Sequence, residues 1–264
     1  MRISLIIAYY KNLPALSLIF KALQNQSYKN FEVILAEDDN DEKTIQFVES
    51  KKEDLLFPVK HLYQEFDNGF RKNQMLNRAI KTAEGEIIVF LDGDSIPHKH
   101  FMKEYDSSIK EGVALFGRRV MLSEDLTSKI MHNQNLELLN ILNIMRSGSK
   151  RIKYSFYIPF LKSYRETGIW GCNWGILKKH LIDINGFDED YVKAGVGEDV
   201  DIEWRLKQNY IKLQSVRFGA IVYHLHHSVN YTGDDVKFNF ALFEEKKETG
   251  NIFCINGLQK KSIN

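Results

Sequence analysis

Five uninterrupted apolar residues, Ile87-Ile88-Val89-Phe90-Leu91, three of them β-branched, run directly into Asp92-Gly93-Asp94. A strand without polar alternation must be covered on both faces, the situation of a central strand in a mostly parallel sheet flanked by helices. Gly93 lets the chain turn just past it. Two carboxylates, two positions apart, therefore stand at a strand's carboxyl end, where open α/β sheets bind ligands. An Asp-Gly-Asp run is also an ordinary solvated turn, so its neighbours decide.

Those neighbours follow βαβ order. Residues 3–8, 31–36 and 59–63 read as strands, and 13–24, 42–51 and 70–82 as helices, which predicts right-handed crossovers in a Rossmann-like, mostly parallel sheet. A helix over 99–111 and a strand over 114–118 close this half. Apolar residues at near-helical spacing predict one helix or two across 123–145. Beyond lie a Gly-rich loop, helices near 178 and up to about 209, a strand over 220–225, and a charged helix over 236–249. With 264 residues, 44% hydrophobic and 12% aromatic, the chain can bury a full core, so a single domain over 1–264 is expected. Its halves are 1–118 and 119–235, followed by a helical tail, 236–264.

Lys+Arg 36 against Asp+Glu 35 leaves a net charge of +1, so no global field points to nucleic acid. Cys172 and Cys254, far apart and without metal spacing, suit a reducing compartment, and the cytoplasm is expected. No apolar run approaches the ~18 residues that span a bilayer. Between Arg146 and Arg165, however, basic residues interleave with Tyr154, Phe156, Tyr157, Phe160 and Tyr164. That mixture suits peripheral contact with an anionic inner-membrane surface, a charged acceptor, or a solvated loop.

Four constellations carry candidate chemistry. The second strand ends in Glu37-Asp38-Asp39-Asn40-Asp41, where Asp38 can accept from a nucleobase imide and Asp41 can cap a helix. Arg71 and Lys72 sit at a helix start, placed for a phosphate or for solvent, with Arg71 preferred. Gly195-Val196-Gly197-Glu198-Asp199 puts carboxylates in the first turn of a helix, as caps or as a general base held ionised by the dipole. His224, His226 and His227 end a strand; His224 and His226 are expected on one side, with His227 in the turn. Histidine beside carboxylates suits Mn²⁺ or Mg²⁺ completing its shell with diphosphate oxygens.

Taken in order, the short first strand, the acidic second strand end, Asp92-Gly93-Asp94, Trp170-Gly171-Cys172-Asn173-Trp174, Gly186-Phe187-Asp188-Glu189, Gly197-Glu198-Asp199 and His224-Leu225-His226-His227 resemble a family 2 glycosyltransferase of the GT-A fold. The later motifs resemble the bacterial surface-polysaccharide branch and a carboxyl-terminal galactosyltransferase motif. The resemblance implies an inverting, metal-dependent enzyme that moves a sugar from a UDP-sugar to a hydroxyl of a glycan or glycolipid acceptor, in lipopolysaccharide or capsule synthesis. The halves become a nucleotide-sugar-binding half and an acceptor-binding, catalytic half.

It implies donor contacts from Ala8, Tyr9, Tyr10, Glu37, Asp38, Arg71, Lys72, Asn77, Asp92, Gly93 and Asp94. Asp38 would meet the uracil, and Asp94, His224 and Asp92 the metal, with Asp92 favouring the ribose. Asp199 would be the base and Glu198 an acceptor contact. Trp170, Asn173 and Trp174 would face the acceptor, although two tryptophans in a loop can equally be core anchors. The chain departs from the family pattern in three places: Ala8-Tyr9-Tyr10 replaces Pro-Thr-Tyr, Met75-Leu76-Asn77 replaces Ala-Arg-Asn, and no Trp precedes Glu198. A sugar nucleotidyltransferase and a non-catalytic carbohydrate-binding protein are the rival readings.

Overall fold

The computed structural model describes residues 1–229 and 231–260. Asn230 and the last four residues of the expected tail lie outside them. The chain runs β1 (Ile3–Tyr9), α1 (Leu13–Gln24), β2 (Phe31–Glu37), α2 (Glu42–Lys51), β3 (Val59–Leu62), α3 (Lys72–Thr82) and β4 (Ile87–Asp92). It continues through β5 (Ser95–Pro97), α4 (Phe101–Ser108), β6 (Val113–Phe116), β7 (Arg118–Met121), α5 (Glu124–Asn133) and α6 (Ile141–Arg146). The last third holds β8 (Ser163–Arg165), β9 (Asn173–Leu177), α7 (Lys178–Asp183), α8 (Glu198–Gln208), β10 (Lys212–Ser215), β11 (Ile221–His224) and α9 (Gly233–Glu248).

An eight-stranded sheet has the order β3-β2-β1-β4-β9-β6-β10-β8, and a small sheet the order β5-β11-β7. β1 pairs parallel with both β2 and β4, and β10 parallel with β6. The all-apolar β4 is indeed central. Its alternate side chains enter two cores: Ile87, Val89 and Leu91 join Leu5, Ile7 and α1, while Ile88 and Phe90 join Ile6, Ile34, α3 and α8. This two-sided burial explains why the run carries no polar residue.

The largest departure from expectation is β9. The stretch Asn173-Trp174-Gly175-Ile176-Leu177, expected as a Gly-rich loop, is an interior strand pairing antiparallel with β4 and β6. The sheet is thus continuous across residue 118, and a strand of the second half lies at its centre. The expected strand over 114–118 stops at Phe116 and resumes as β7 in the small sheet, parallel to β11. The 123–145 segment divides in two. Gln134 turns left-handed at φ 50°, and Asn135 and Asn140 each accept from backbone N–H groups further on, so side-chain caps interrupt the helix.

Candidate active site

The carboxyl ends of β1, β2 and β4 are tied edge to edge. The Asp38 N–H donates to the Tyr9 carbonyl at 2.8 Å, and the Gly93 N–H to the Ala8 carbonyl at 2.7 Å. Asp38 itself is bracketed: the Arg71 N–H reaches both its oxygens at 3.1 and 3.0 Å, and the Gln64 amide donates to Oδ1 at 3.0 Å. Burial nevertheless pushes this carboxyl up to about 6. Two expected donor contacts turn inward instead. The Tyr9 hydroxyl lies 3.3 Å from Thr44 Oγ1 beneath the sheet end, and the fully buried Glu37 pairs with His61. Strand alternation points both side chains away from the rim that Asp38 occupies. Tyr10 remains on the surface, its hydroxyl 3.4 Å from Asp67.

Past Gly93, Asp94 meets two histidines. His224 Nε2 lies 3.4 Å and His227 Nε2 3.0 Å from Asp94 Oδ2, and one ligand atom from each of the three residues falls within 4.8 Å of the others. The His224 Nδ1 atom is buried without a hydrogen-bond partner. An N₂O donor set with an orphaned imidazole nitrogen fits a divalent first-row cation. His226 corrects the expected pairing: β11 ends at His224, and His226 is exposed, its N–H donating to Thr127 Oγ1, so the chain curls back to deliver His227. Its hydrogen bond to the Asp94 carboxylate raises His227 up to about 9. Burial favours a protonated Asp94, but His227 and His224 hold its carboxyl below the usual range.

Asp92, expected at the ribose or as a further metal donor, pairs with Lys72. Lys72 Nζ lies 3.2 Å from Asp92 Oδ1 and 3.7 Å from Glu198 Oε1. Burial opposes the ammonium, yet Asp92, Glu198 and Asp199 together raise its pKa above the lysine range. The preference for Arg71 is therefore reversed. Arg71 donates its side chain to its neighbour's carbonyl and lines a separate polar cleft with Glu189 and Asp190.

Both Glu198 and Asp199 begin α8 after Gly197, whose φ of 153° favours glycine, and whose added Cβ would meet Asn239 Cβ at 2.6 Å. The Gly171 N–H donates to Asp199 Oδ2 at 2.8 Å, and a Cβ on Gly171 would stand 3.1 Å from both Asp199 Oδ1 and Lys72 Nζ. Asp199 Oδ1 and Glu198 Oε2 are buried without partners. Burial, then the Asp199 charge, pushes Glu198 up to about 7; burial likewise raises Asp199, opposed by Lys72. Ala8, Lys72, Gly171, Glu198 and Asp199 share one small enclosed cavity.

Three expected contacts prove structural. Trp174 is wholly buried on β9, stacked on Phe90 at 4.5 Å between centroids and edge-on to Phe187. Asn173 holds Tyr105 and the carbonyls of Arg118 and Ala220. Asn77 joins α3 to the Phe187 N–H and carbonyl, so the motif 186–189 is a helix dock. The interior strand β9 buries Asn173 and Trp174, which a loop assignment could not reveal, whereas Asn77 is buried where α3 packs on the 186–189 turn. Trp170 alone keeps partial exposure. Its indole is surrounded by guanidinium groups from Arg118 at 4.5 Å, Arg151 at 4.6 Å and Arg119 at 5.4 Å from the ring centroid. Sequence reasoning passed over Arg118 and Arg119; their adjacency at the head of β7 was the available signal.

A mostly parallel sheet with carboxylates, histidines and a part-buried lysine gathered at its carboxyl rim defines a GT-A sugar-transferase architecture. The chain belongs to glycosyl transferase family 2, whose sequence pattern matches residues 4–184; a second pattern, described as the N-terminal domain of galactosyltransferase, matches 155–228. It is 25% identical over 170 residues to a Campylobacter jejuni GalNAc(5)-diNAcBac-PP-undecaprenol beta-1,3-glucosyltransferase, covering 63% of this chain and 53% of that protein. It thus spans about half of that relative's length. Over 92 residues it is 30% identical to the Escherichia coli UDP-Glc:alpha-D-GlcNAc-diphosphoundecaprenol beta-1,3-glucosyltransferase WfaP, covering 35% of each.

Among solved structures, the fold is similar to Staphylococcus aureus TarS 1-349 in complex with UDP, with a TM-score of 0.59 at 21% identity, covering 93% of this chain and 65% of that one. It is also similar to the Pyrobaculum calidifontis mannosyltransferase PcManGT in complex with GDP-Man and Mn²⁺, with a TM-score of 0.61 at 15% identity, covering 94% and 64%. No helix among the described residues is long and apolar enough to cross a membrane.

Proposed function

We propose that this chain is an inverting glycosyltransferase that moves a sugar from a UDP-sugar to a hydroxyl of a glycan or glycolipid acceptor of the bacterial surface, with Mn²⁺ or Mg²⁺ as cofactor. One observation carries the reading: Asp94, His224 and His227 converge beside the Lys72-neutralised carboxylates Asp92, Glu198 and Asp199 at one sheet rim. The relatives' names support the acceptor class, and neighbours solved with UDP or with GDP-Man and Mn²⁺ support the donor class.

In this reading Asp38 accepts the uracil imide N–H, since two oxygens that take only two donors, the shared Arg71 N–H and the Gln64 amide, retain lone-pair sites. Asp94, His224 and His227 hold the cation. When bound, it supplies positive charge for the departing diphosphate. Lys72 orients Asp92 towards the ribose and keeps the carboxylates from repelling one another. Asp199 takes the proton of the acceptor hydroxyl as its oxygen attacks the anomeric carbon opposite the bond to UDP, so one C–O bond forms as another breaks. The Gly171 N–H fixes one Asp199 oxygen and leaves Oδ1 unpartnered for that proton. Its raised pKa is the property a base needs near neutrality.

Incubating the chain with a panel of UDP-sugars and Mn²⁺, and measuring slow release of UDP, tests the reading. Release from one donor, abolished in Asp94→Asn and by chelation, is expected. Pyrophosphate release, or metal-independent turnover, would overturn it. Peripheral contact with the inner membrane on the cytoplasmic side belongs to the same proposal, supported by the exposed Leu142, Met145, Phe156 and Phe160 among basic residues.

A further inference from the structure

Three arginines converge on Trp170, and among the described residues none of the three has a carboxylate within salt-bridge distance. Such convergence is unusual, because like charges repel unless an anion joins them. The site is shaped by the rest of the fold. Glu203 on α8 accepts the Gly168 and Ile169 N–H groups at 2.9 and 2.8 Å, while Asp199 accepts that of Gly171, so the loop bearing Trp170 is pinned on both sides. Arg118 is held by the Gly117 and Gly168 carbonyls through one nitrogen, which leaves its other N–H donors free. Arg119 Nε is buried and has no hydrogen-bond partner. Arg151 arrives from the basic-aromatic segment in a left-handed conformation, φ 58°, and its side chain is exposed.

Arg118 also stands in a long open groove, whose lining includes Arg165, Lys207, Lys212 and Arg217 against one acid, Glu166. The groove is therefore strongly cationic in a chain of net charge +1. Guanidinium forks match phosphate and carboxylate oxygens, and an indole face suits a sugar ring.

We infer that the acceptor is an anionic sugar: its phosphate or carboxylate docks on Arg118, Arg119 and Arg151, its ring meets Trp170, and its remaining length follows the cationic groove. This rests on the transferase reading and names the acceptor class that the same site takes. It also gives Arg151, and with it the segment 146–165, a role in the acceptor site.

The test titrates the full chain, with UDP and Mn²⁺ present, with three probes: N-acetylglucosamine 1-phosphate, methyl glucuronide, and neutral methyl N-acetylglucosaminide. Tryptophan fluorescence and titration calorimetry read binding. An anionic probe is expected to bind at least tenfold more tightly than the neutral one, with the advantage shrinking in salt. Preference for the phosphate or the uronate arm identifies the source of the charge. Arg151→Gln is expected to lose about tenfold for the anionic probe alone, Arg151→Lys to recover part of it, and Trp170→Phe to remove the fluorescence signal. Equal affinity for charged and neutral probes, or an Arg151→Gln variant that binds the anion as the parent does, overturns the inference. UDP-sugar hydrolysis is measured alongside. Its absence with anion binding intact counts against the transferase reading, not against this site.

Discussion

His227 Nε2 lies closer to Asp94 Oδ2, at 3.0 Å, than His224 Nε2 does, at 3.4 Å. The residue beyond the strand, in the turn, thus completes the donor set that the strand begins.

From this arrangement, His224→Ala and His227→Ala should each weaken Mn²⁺ binding in the presence of UDP by on the order of 10–100-fold, the scale on which loss of groups in a metal site acts. His226→Ala should change it by less than about twofold, because its contribution here is a backbone N–H. Calorimetric Mn²⁺ titrations decide. A His226 variant as impaired as the His227 variant would place the cation elsewhere.

The two adjacent cations at the start of α3 should separate sharply. Lys72→Met leaves Asp92, Glu198 and Asp199 without their shared ammonium, and turnover should drop by on the order of 10²–10³-fold. Arg71→Met removes a side chain that points to the separate cleft, so its kcat should stay within a few-fold of the parent. Steady-state kinetics with the best donor from the UDP-sugar panel make the comparison.

Glu198 gives a stability signature with a definite sign. Its carboxyl moves from 4.5 up to about 7 through burial and the neighbouring Asp199, so the folded chain holds a proton that the unfolded chain releases. That preference is fully present below about pH 4.5 and is lost as pH rises through 7. Glu198→Gln should therefore melt higher than the parent at pH 8 and converge with it at pH 4. Thermal melts across that range would reject the assignment if the gap stayed constant.

Trp174 should behave as core. Trp174→Ala opens a void against Phe90 and Phe187 and should cost about 3–5 kcal/mol in urea unfolding. Trp174→Phe should leave acceptor KM unchanged, whereas Trp170→Ala should raise it. A shift of KM in the Phe variant would return Trp174 to the acceptor site.

Much of the first 118 residues was legible because local pattern and tertiary demand agree there: uniform apolarity marks β4, and α1, α2 and the strand-end carboxylates fall where the pattern puts them. Legibility fails where packing overrides composition. Asn173-Trp174-Gly175 has the chemistry of a turn, yet it is drawn between β4 and β6 by backbone pairing that no local signal encodes. The same override takes Asn173 from the acceptor side and decides for the core-anchor alternative at Trp174, while Asn77 is buried by the docking of α3 on the 186–189 turn. Which of His224, His226 and His227 meets Asp94 stayed open in the sequence for a different reason: alternation holds only while the strand lasts, and the strand ends three residues before His227. Arg71 is preferred to Lys72 in the sequence, but one helical position turns a side chain through about 100° and only the neighbouring α8 decides which of them faces inward.

Strand β9 also governs when the protein can become itself. Until residue 177 leaves the ribosome, β4 has an open edge along the face that β9 will occupy, and β6 has no bridge to it. The first 118 residues on their own would carry a long apolar edge of the kind that pairs with other chains. Completing the sheet therefore needs a late segment to fill an early gap, a pairing of high sequence separation. The loop that tethers Asp199 leads directly into that closing strand. Closing the sheet therefore also fixes the loop whose Gly171 N–H will hold Asp199 once α8 follows.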